Sequence, residues 1–155
     1  MNVGIIVYSH SGNTLSVAQK LAEAIKAGGH AVRIERVEPV DGNPNSPGPV
    51  ELKAFPDVGP YDAVVFASPV QAFSLAPVMK LYLSRVPNLA GKKAYCFVTQ
   101  QSPKPWLGGS RAVRQITAAC KAKGANILSS GVVNWSGGAR DGQIDDIVAR
   151  LGAIR

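Results

Sequence analysis

Short hydrophobic runs alternate along the chain with segments of helical periodicity. Four runs have the nearly continuous apolar character of strands buried on both faces of a sheet: residues 2–8, 62–67, 94–99 and 126–133. A fifth run, 30–37, alternates with charged residues as an outer strand does. Hydrophobic residues recur at helical spacing in four segments: 13–26, 74–86, 109–123 and 141–151. This order predicts a three-layer α/β fold, with a doubly wound five-stranded parallel sheet between helices.

Two details of this pattern concern segment ends and connections. Asp141 is a plausible N-cap of the last helix. The segment from Pro39 to Pro60 holds more than half of the chain's 11 prolines and has no convincing periodicity, so it predicts a long irregular connection with at most one helical turn. Neither flank of this segment could form a core alone. Residues 1–155 are therefore expected to form one domain.

Composition and charge narrow the classes of function. The chain is 46% hydrophobic and 17% charged, which is the profile of a well-packed globular protein. It shows neither a signal peptide nor an apolar run near the roughly 20 residues that span a bilayer, so a cytoplasmic location without a membrane span is expected. The net charge of +7 predicts attraction to anions. Nucleic acid is not the expected partner, because the basic residues are scattered and no nucleic-acid motif is visible.

The polar and sulfur-containing side chains give little support to hydrolysis or metal catalysis. Cys96 and Cys120 lie far apart in no metal-ligand spacing, and they are expected to be ordinary reduced thiols. No pair of histidine and carboxylate, no nucleophile arrangement and no metal cluster can be assembled from the remaining residues. No catalytic side chain and no metal ligand is therefore assigned.

The loop after the first strand predicts a phosphate site. Ligands of doubly wound sheets bind beyond the carboxyl ends of the strands. This loop reads Ser9-His10-Ser11-Gly12-Asn13-Thr14 and leads directly into a helix, so hydroxyls, backbone N–H groups and a positive helix end converge there. It contains no Lys or Arg and lacks the GxxxxGK[ST] spacing, which favours binding over phosphoryl transfer. The alternative is a capped turn that only starts the helix.

Two segments carry a resemblance to a known family. Tyr8-Ser9-His10-Ser11-Gly12-Asn13-Thr14 resembles the phosphate-binding signature of the flavodoxins. The segment Tyr61-Asp62-Ala63-Val64-Val65-Phe66-Ala67-Ser68-Pro69-Val70 is similar to the third strand and following loop of flavodoxin-like proteins. The resemblance covers nearly the whole chain. It implies the short-chain type of this fold, with strand order 2-1-3-4-5 and non-covalently bound FMN.

The resemblance also implies that the loops after the third and fourth strands enclose the isoalloxazine ring. The expected cofactor-binding residues from the three loops are Ser9, His10, Ser11, Gly12, Asn13, Thr14, Ser68, Pro69, Val70, Gln71, Ala72, Phe73, Thr99, Gln100, Gln101, Trp106, Gly108 and Gly109.

Four residues near the expected flavin site have two open roles. Trp106 is the favoured aromatic for stacking on the flavin, with Phe73 the other candidate, but Trp106 could instead anchor its Pro-rich loop. Gly108 and Gly109 either permit close approach to the flavin edge or only allow a helix to begin. Trp135, after the fifth strand, is expected to pack on the sheet, with the flavin rim as the alternative.

With FMN bound, the redox chemistry belongs to the flavin and needs no catalytic side chain. The main expectation is an electron-transfer protein, more a carrier than a turnover enzyme. However, the loop after the fourth strand lacks the acidic and tyrosine residues common in carrier flavodoxins. The first alternative is an FMN-dependent NAD(P)H:quinone or acceptor oxidoreductase, and the second is a flavin-free binding module of the same fold. The basic charge favours an acidic, ferredoxin-like partner, with a small-molecule acceptor as the alternative.

Overall fold

The computed structural model describes residues 1–104 and 106–154. Its strands are β1 (Asn2–Val7), β2 (Ala31–Arg36), β3 (Glu38–Pro39), β4 (Leu52–Ala54), β5 (Ala63–Gln71), β6 (Ser74–Leu75), β7 (Lys93–Gln100) and β8 (Ile127–Asn134). Its helices are α1 (Asn13–Ala27), α2 (Pro77–Arg85), α3 (Gly109–Ala122) and α4 (Arg140–Gly152). No helix in these ranges combines the length and the apolar character needed to cross a membrane.

The central sheet has the order β2-β1-β5-β7-β8, and all of these neighbours pair in parallel. In its middle, Ile5 lies opposite Ile34 on one side and Val65 on the other. The predicted five-stranded parallel sheet and its order 2-1-3-4-5 are confirmed. Parallel pairing brings the carboxyl ends of β1, β5, β7 and β8 to one edge of the sheet, which is where ligands bind in such folds.

Two hydrophobic clusters form the core, one on each face of the sheet. Side chains alternate along each strand, so Phe66 faces one cluster while Val65 and Ala67 face the other. Helices α1 and α4 cover the face of Val65, and α2 and α3 cover part of the face of Phe66. Burial on both faces explains why these strands have continuous apolar runs in the sequence.

The Pro-rich connection covers the remainder of the face of Phe66. Prediction and structure differ here, because the segment contains a small antiparallel pair, β3 with β4, and none of its described residues is helical. Just beyond this pair, the amide of Val40 donates to the carbonyl of Glu51 at 2.8 Å. The hydroxyl of Tyr82, on α2, donates to the carbonyl of Pro56 at 2.7 Å and attaches the segment to the core. Strands of two and three residues are too short for their alternation to be recognised in a sequence.

One predicted helix start and one predicted N-cap were wrong. The helix predicted over 74–86 begins at Pro77, because the residues before it form β6 and pair antiparallel with the end of β5. The predicted cap of the last helix, Asp141, lies inside the first turn of α4, and Ala139 is the N-cap. An acidic residue in the first turn interacts favourably with the helix dipole wherever it stands there, so its presence marks the turn and not the capping position.

Candidate functional site

The loop between β1 and α1 presents unpaired backbone N–H groups. Gly12 is the N-cap of α1 with φ 94° and ψ −10°, a left-handed conformation that favours glycine. Its carbonyl accepts the first helical hydrogen bond, from the amide of Ser16 at 3.0 Å. The amide of Leu15 donates to Ser9 Oγ at 3.2 Å. The amides of 12–14 have no acceptor among the described residues, so this helix start can bind an anion.

The hydroxyl groups of this loop differ in position. Thr14 is buried, and its Oγ1 lies 2.8 Å from Oγ1 of Thr99, at the end of β7. Ser9 is also buried and accepts from α1, whereas Ser11 is exposed. A hydroxyl that accepts one bond still has its own hydrogen to donate, so Ser9 and one member of the threonine pair keep a donor.

The ends of four sheet strands meet around a cavity of about 190 Å³. Its lining residues are His10, Ser11, Asn13, Pro69, Val70, Gln71, Thr99, Gln100, Gln101 and Trp135. The structure therefore brings together residues from all three predicted loops. None of the lining residues is a carboxylate, Lys or Arg. Among the described residues, the chain holds no group of acidic, cysteine or histidine side chains that could bind a metal ion.

The other predicted site residues lie outside this cavity lining. Ser68 is fully buried and donates its hydroxyl to the carbonyl of Pro69 at 2.9 Å. Residues 72–73 form the turn between β5 and β6, and 106–109 lead into α3. Ser9, Gly12 and Thr14 shape the phosphate loop without lining the cavity.

Gly108 and Gly109 allow α3 to pack closely on the sheet. A Cβ at Gly108 would lie 2.6 Å from Val70 Cγ1 and 2.8 Å from Cα of Phe73. A Cβ at Gly109 would lie 2.7 Å from Cγ1 of Val132. Both contacts are with protein atoms. Glycine is therefore required for the start of α3 to pack against β8 and against the turn between β5 and β6. A contact of these glycines with flavin stays a prediction.

Phe73 and Trp106 are exposed apolar side chains outside the cavity lining. Their exposed fractions are 65% and 72%. The turn that carries Phe73 has positive φ at both central residues, 50° at Ala72 and 60° at Phe73, which L-residues with side chains adopt at a cost. Lys104 Nζ lies 5.6 Å from the centroid of the Trp106 ring. Neither aromatic lines the cavity, so stacking of Trp106 on the flavin stays a prediction.

Trp135 is the aromatic residue that does line the cavity. It is half-buried, and it also packs against the hydrophobic cluster beneath α1 and α4, as predicted. Its amide donates to the carbonyl of Gln100 at 2.7 Å, and the Arg140 guanidinium lies 5.0 Å from its ring centroid. The sequence signal for this position was an aromatic residue directly after a buried parallel strand.

Gln100 has an incomplete set of hydrogen bonds at the cavity. Its Nε2 donates to Asn134 Oδ1 at 2.6 Å and to the carbonyl of Lys104 at 2.7 Å. Its Oε1 is buried and has no partner among the described residues. A buried acceptor without a partner is costly, and this oxygen lies against the start of α3, where a Cβ at Gly109 would come within 3.0 Å of it.

The two cysteines are buried and separate from the cavity. Burial raises the pKa of each thiol to about 12. Both groups are therefore protonated near neutral pH, where a nucleophilic or redox-active cysteine would need to be a thiolate. The predicted role of ordinary reduced thiols fits this environment.

Known proteins of similar sequence and structure were found. The family model of the NADPH-dependent FMN reductases matches residues 1–140. The NAD(P)H dehydrogenase (quinone) of Archaeoglobus fulgidus is 29% identical over 126 residues, covering 70% of this chain and 64% of that protein. The chain thus spans less than two thirds of the length of this curated relative.

Solved structures share the fold at low sequence identity. Oxidised flavodoxin 1 from Bacillus cereus has a TM-score of 0.72 and 19% identity, covering 99% of this chain and 95% of that one. A flavoprotein in complex with FMN from Lactobacillus acidophilus has a TM-score of 0.64 and 19% identity, covering 94% and 97%. The predicted resemblance to flavodoxin-like proteins and the prediction of FMN are confirmed. Because the family model matches most of its length, this chain belongs to the NADPH-dependent FMN reductase family.

Proposed function

We propose that this chain binds FMN at the carboxyl edge of its sheet and is an FMN-dependent NAD(P)H oxidoreductase with a small acceptor such as a quinone. The observation that carries FMN binding is the position of three unpaired amides, 12–14, beside a cavity formed by four strand ends. The choice of electron donor and acceptor is supported by the family and by the quinone-dependent activity in the name of the archaeal relative.

The phosphate end of FMN would be held by residues 9–14. The amides of 12–14 are unpaired at the positive end of the α1 dipole, and the hydroxyls of Ser9 and Ser11 add donors. The loop offers neutral donors only, apart from His10, which suits binding of a phosphate that is not transferred. This assignment follows the sequence prediction.

The ring end would be held by the strand ends at 69–71 and 99–101, with Trp135. Trp135 would offer an aromatic surface to the ring. When bound, FMN supplies hydride acceptance and electron transfer, and the protein orients the ring and limits its contact with water. The lack of carboxylates in the lining favours a reduced, anionic ring, because nearby negative charge would oppose it.

An electron carrier for an acidic, ferredoxin-like protein is the second candidate function. The exposed Phe73 and Trp106 support it, because apolar side chains beside a redox centre suit protein docking, and Lys104 adds positive charge there. A carrier would be reduced slowly by NAD(P)H and rapidly by a redox protein, with a rate that falls as salt rises.

The first experiment is retention of flavin by the purified protein. Apoprotein is mixed with FMN or riboflavin, passed through gel filtration, and examined by its visible spectrum. Retention of FMN and loss of riboflavin would support the phosphate loop, whereas loss of both would refute FMN binding. The FMN-loaded protein is then mixed with NADPH or NADH under anaerobic conditions, with and without a quinone. Rapid bleaching and its reversal by quinone would support the reductase, whereas slow bleaching would favour the carrier.

A further inference from the structure

A second groove adjoins the phosphate loop, on the other side of β1 from the cavity. Its volume is about 240 Å³, and His10 borders both the groove and the cavity. The groove lies toward β2, the edge strand, whereas the cavity lies toward β5 and β7. A phosphate held by residues 9–14 would thus stand between the two spaces.

Two cations line this groove because of local folding. Arg36 is the last residue of β2 and lies in register with Val7, two residues before the phosphate loop. Lys53 reaches the same place because β4 pairs with β3 and folds the Pro-rich connection back. Both side chains are exposed, and neither forms an ion pair with any residue in the described ranges. Their charges are therefore available to an anion.

The charge of the groove differs from that of the cavity. The cavity lining contains no Lys or Arg, whereas the groove presents Arg36 and Lys53 together. Glu38, half-buried on β3, also lines the groove and reduces its positive potential. Guanidinium and ammonium groups form charge-assisted hydrogen bonds with carboxylate and phosphate oxygens, so such a pair can bind a phosphoryl group.

We propose that this groove binds a second phosphoryl group, so that the site accepts the phosphates of a dinucleotide as well as the single phosphate of FMN. The position of the first phosphate rests on the proposed function. In FAD the second phosphate is joined to the first by one bridging oxygen, so it must lie in a space that adjoins the phosphate loop. The 2′-phosphate of NADPH offers the same chemistry to the same residues.

The test compares two doubly substituted proteins that lose the same charge. Arg36→Gln/Lys53→Gln removes both cations of the groove, and Lys20→Gln/Lys26→Gln removes two exposed lysines of α1 as the matched control. Binding of FMN and FAD to each apoprotein is measured by flavin fluorescence. We expect the groove variant to weaken FAD by about tenfold or more and FMN by less than about threefold. We expect the control to lower the affinity for both flavins equally and slightly, because it removes two positive charges outside the groove.

A second experiment tests whether the groove binds the 2′-phosphate of NADPH. Adenosine 2′,5′-bisphosphate and adenosine 5′-monophosphate are titrated by calorimetry into the FMN-loaded protein. If the groove receives the NADPH 2′-phosphate, the groove variant weakens the bisphosphate alone, again by about tenfold. Glu38→Gln should act in the opposite direction and tighten whichever ligand the groove binds, because it removes the opposing charge.

The outcomes separate this proposal from the proposed function. An FAD-to-FMN affinity ratio and a bisphosphate affinity that are both unchanged in the groove variant would overturn the proposal, even if FMN binds well. If the wild-type protein retains no flavin, the proposed function fails, and inorganic pyrophosphate is titrated into the apoprotein instead. Pyrophosphate binding that the groove variant loses and the control keeps would then support the groove, and equal binding by both would overturn it.

Discussion

The phosphate end and the ring end of the site are built in different ways. The phosphate end consists of consecutive residues, 9–14, whose amides are exposed by one left-handed glycine and the start of α1. The ring end combines the ends of three strands, at 69–71, 99–101 and Trp135, which are separated by up to 66 positions in sequence. A binding surface made by one loop can be recognised from a short motif. A surface made by several strand ends depends on how the whole sheet and its connections pack.

The two ends also differ in how their backbone is supported. In the phosphate loop, positive φ occurs at Gly12, where it costs little. At the ring end it occurs at Ala72 and Phe73, whose side chains make that conformation unfavourable by roughly 1–3 kcal/mol each. Surrounding contacts must hold this turn, and Gly108 is one of its neighbours, since a Cβ there would lie 2.8 Å from Cα of Phe73. The ring end is therefore the more easily disrupted part of the site.

The largest effect is expected from Gly108→Ala. The residue has φ 117°, and a Cβ there would meet Val70 and the backbone of Phe73 at 2.6–2.9 Å. Strain and collision together should lower the free energy of unfolding by about 2–4 kcal/mol, measured by urea denaturation. Gly138→Ala is the control, since a Cβ at Gly138 would meet no atom within 4 Å. Equal stability of the two variants would show that the loop between β7 and α3 does not stabilise the turn between β5 and β6.

The next largest effect separates the two tryptophans. Trp135→Leu should weaken FMN and riboflavin alike, by about tenfold to thirtyfold, because both ligands carry the same ring. Trp106→Leu should change flavin affinity by less than about threefold, because its side chain is 72% exposed and lies outside the cavity lining. Thermal unfolding checks that each variant remains folded. The opposite result would support the sequence-based choice of Trp106 as the stacking residue.

The contrast between the two ends explains which parts could be predicted. The strands and the helices follow from hydrophobic periodicity, because each element buries a face against the sheet. The strand order was implied by the resemblance to flavodoxin-like proteins. The phosphate loop follows from residue types within six positions. The sequence did not predict β3 and β4, because a two-residue strand has no detectable period. It also did not predict that Ala72 and Phe73 turn the chain before α2, since neither residue has the usual preference for positive φ.

A smaller effect is expected at the phosphate end. Ser11→Ala removes an exposed hydroxyl that lines the cavity and has no structural partner among the described residues. We expect FMN affinity to fall by about fivefold to tenfold, which is the loss of one hydrogen bond to a charged group, with riboflavin affinity unchanged. Ser84→Ala, at an exposed position on α2 outside the cavity lining, is the control. A parallel loss of riboflavin affinity would contradict the assignment of Ser11 to the phosphate.

The smallest effect concerns the contact that joins the two ends. The hydroxyls of Thr14 and Thr99 are 2.8 Å apart and buried, so each single change to Val leaves its partner without that bond. Because a lone buried hydroxyl is costly and a Val–Val pair contains none, the double variant should recover part of the lost stability. The coupling free energy from a double-mutant cycle in urea should be about 0.5–1.5 kcal/mol. Strict additivity would mean that the first turn of α1 and the end of β7 are positioned independently. In that case the phosphate and ring ends would share only the sheet beneath them.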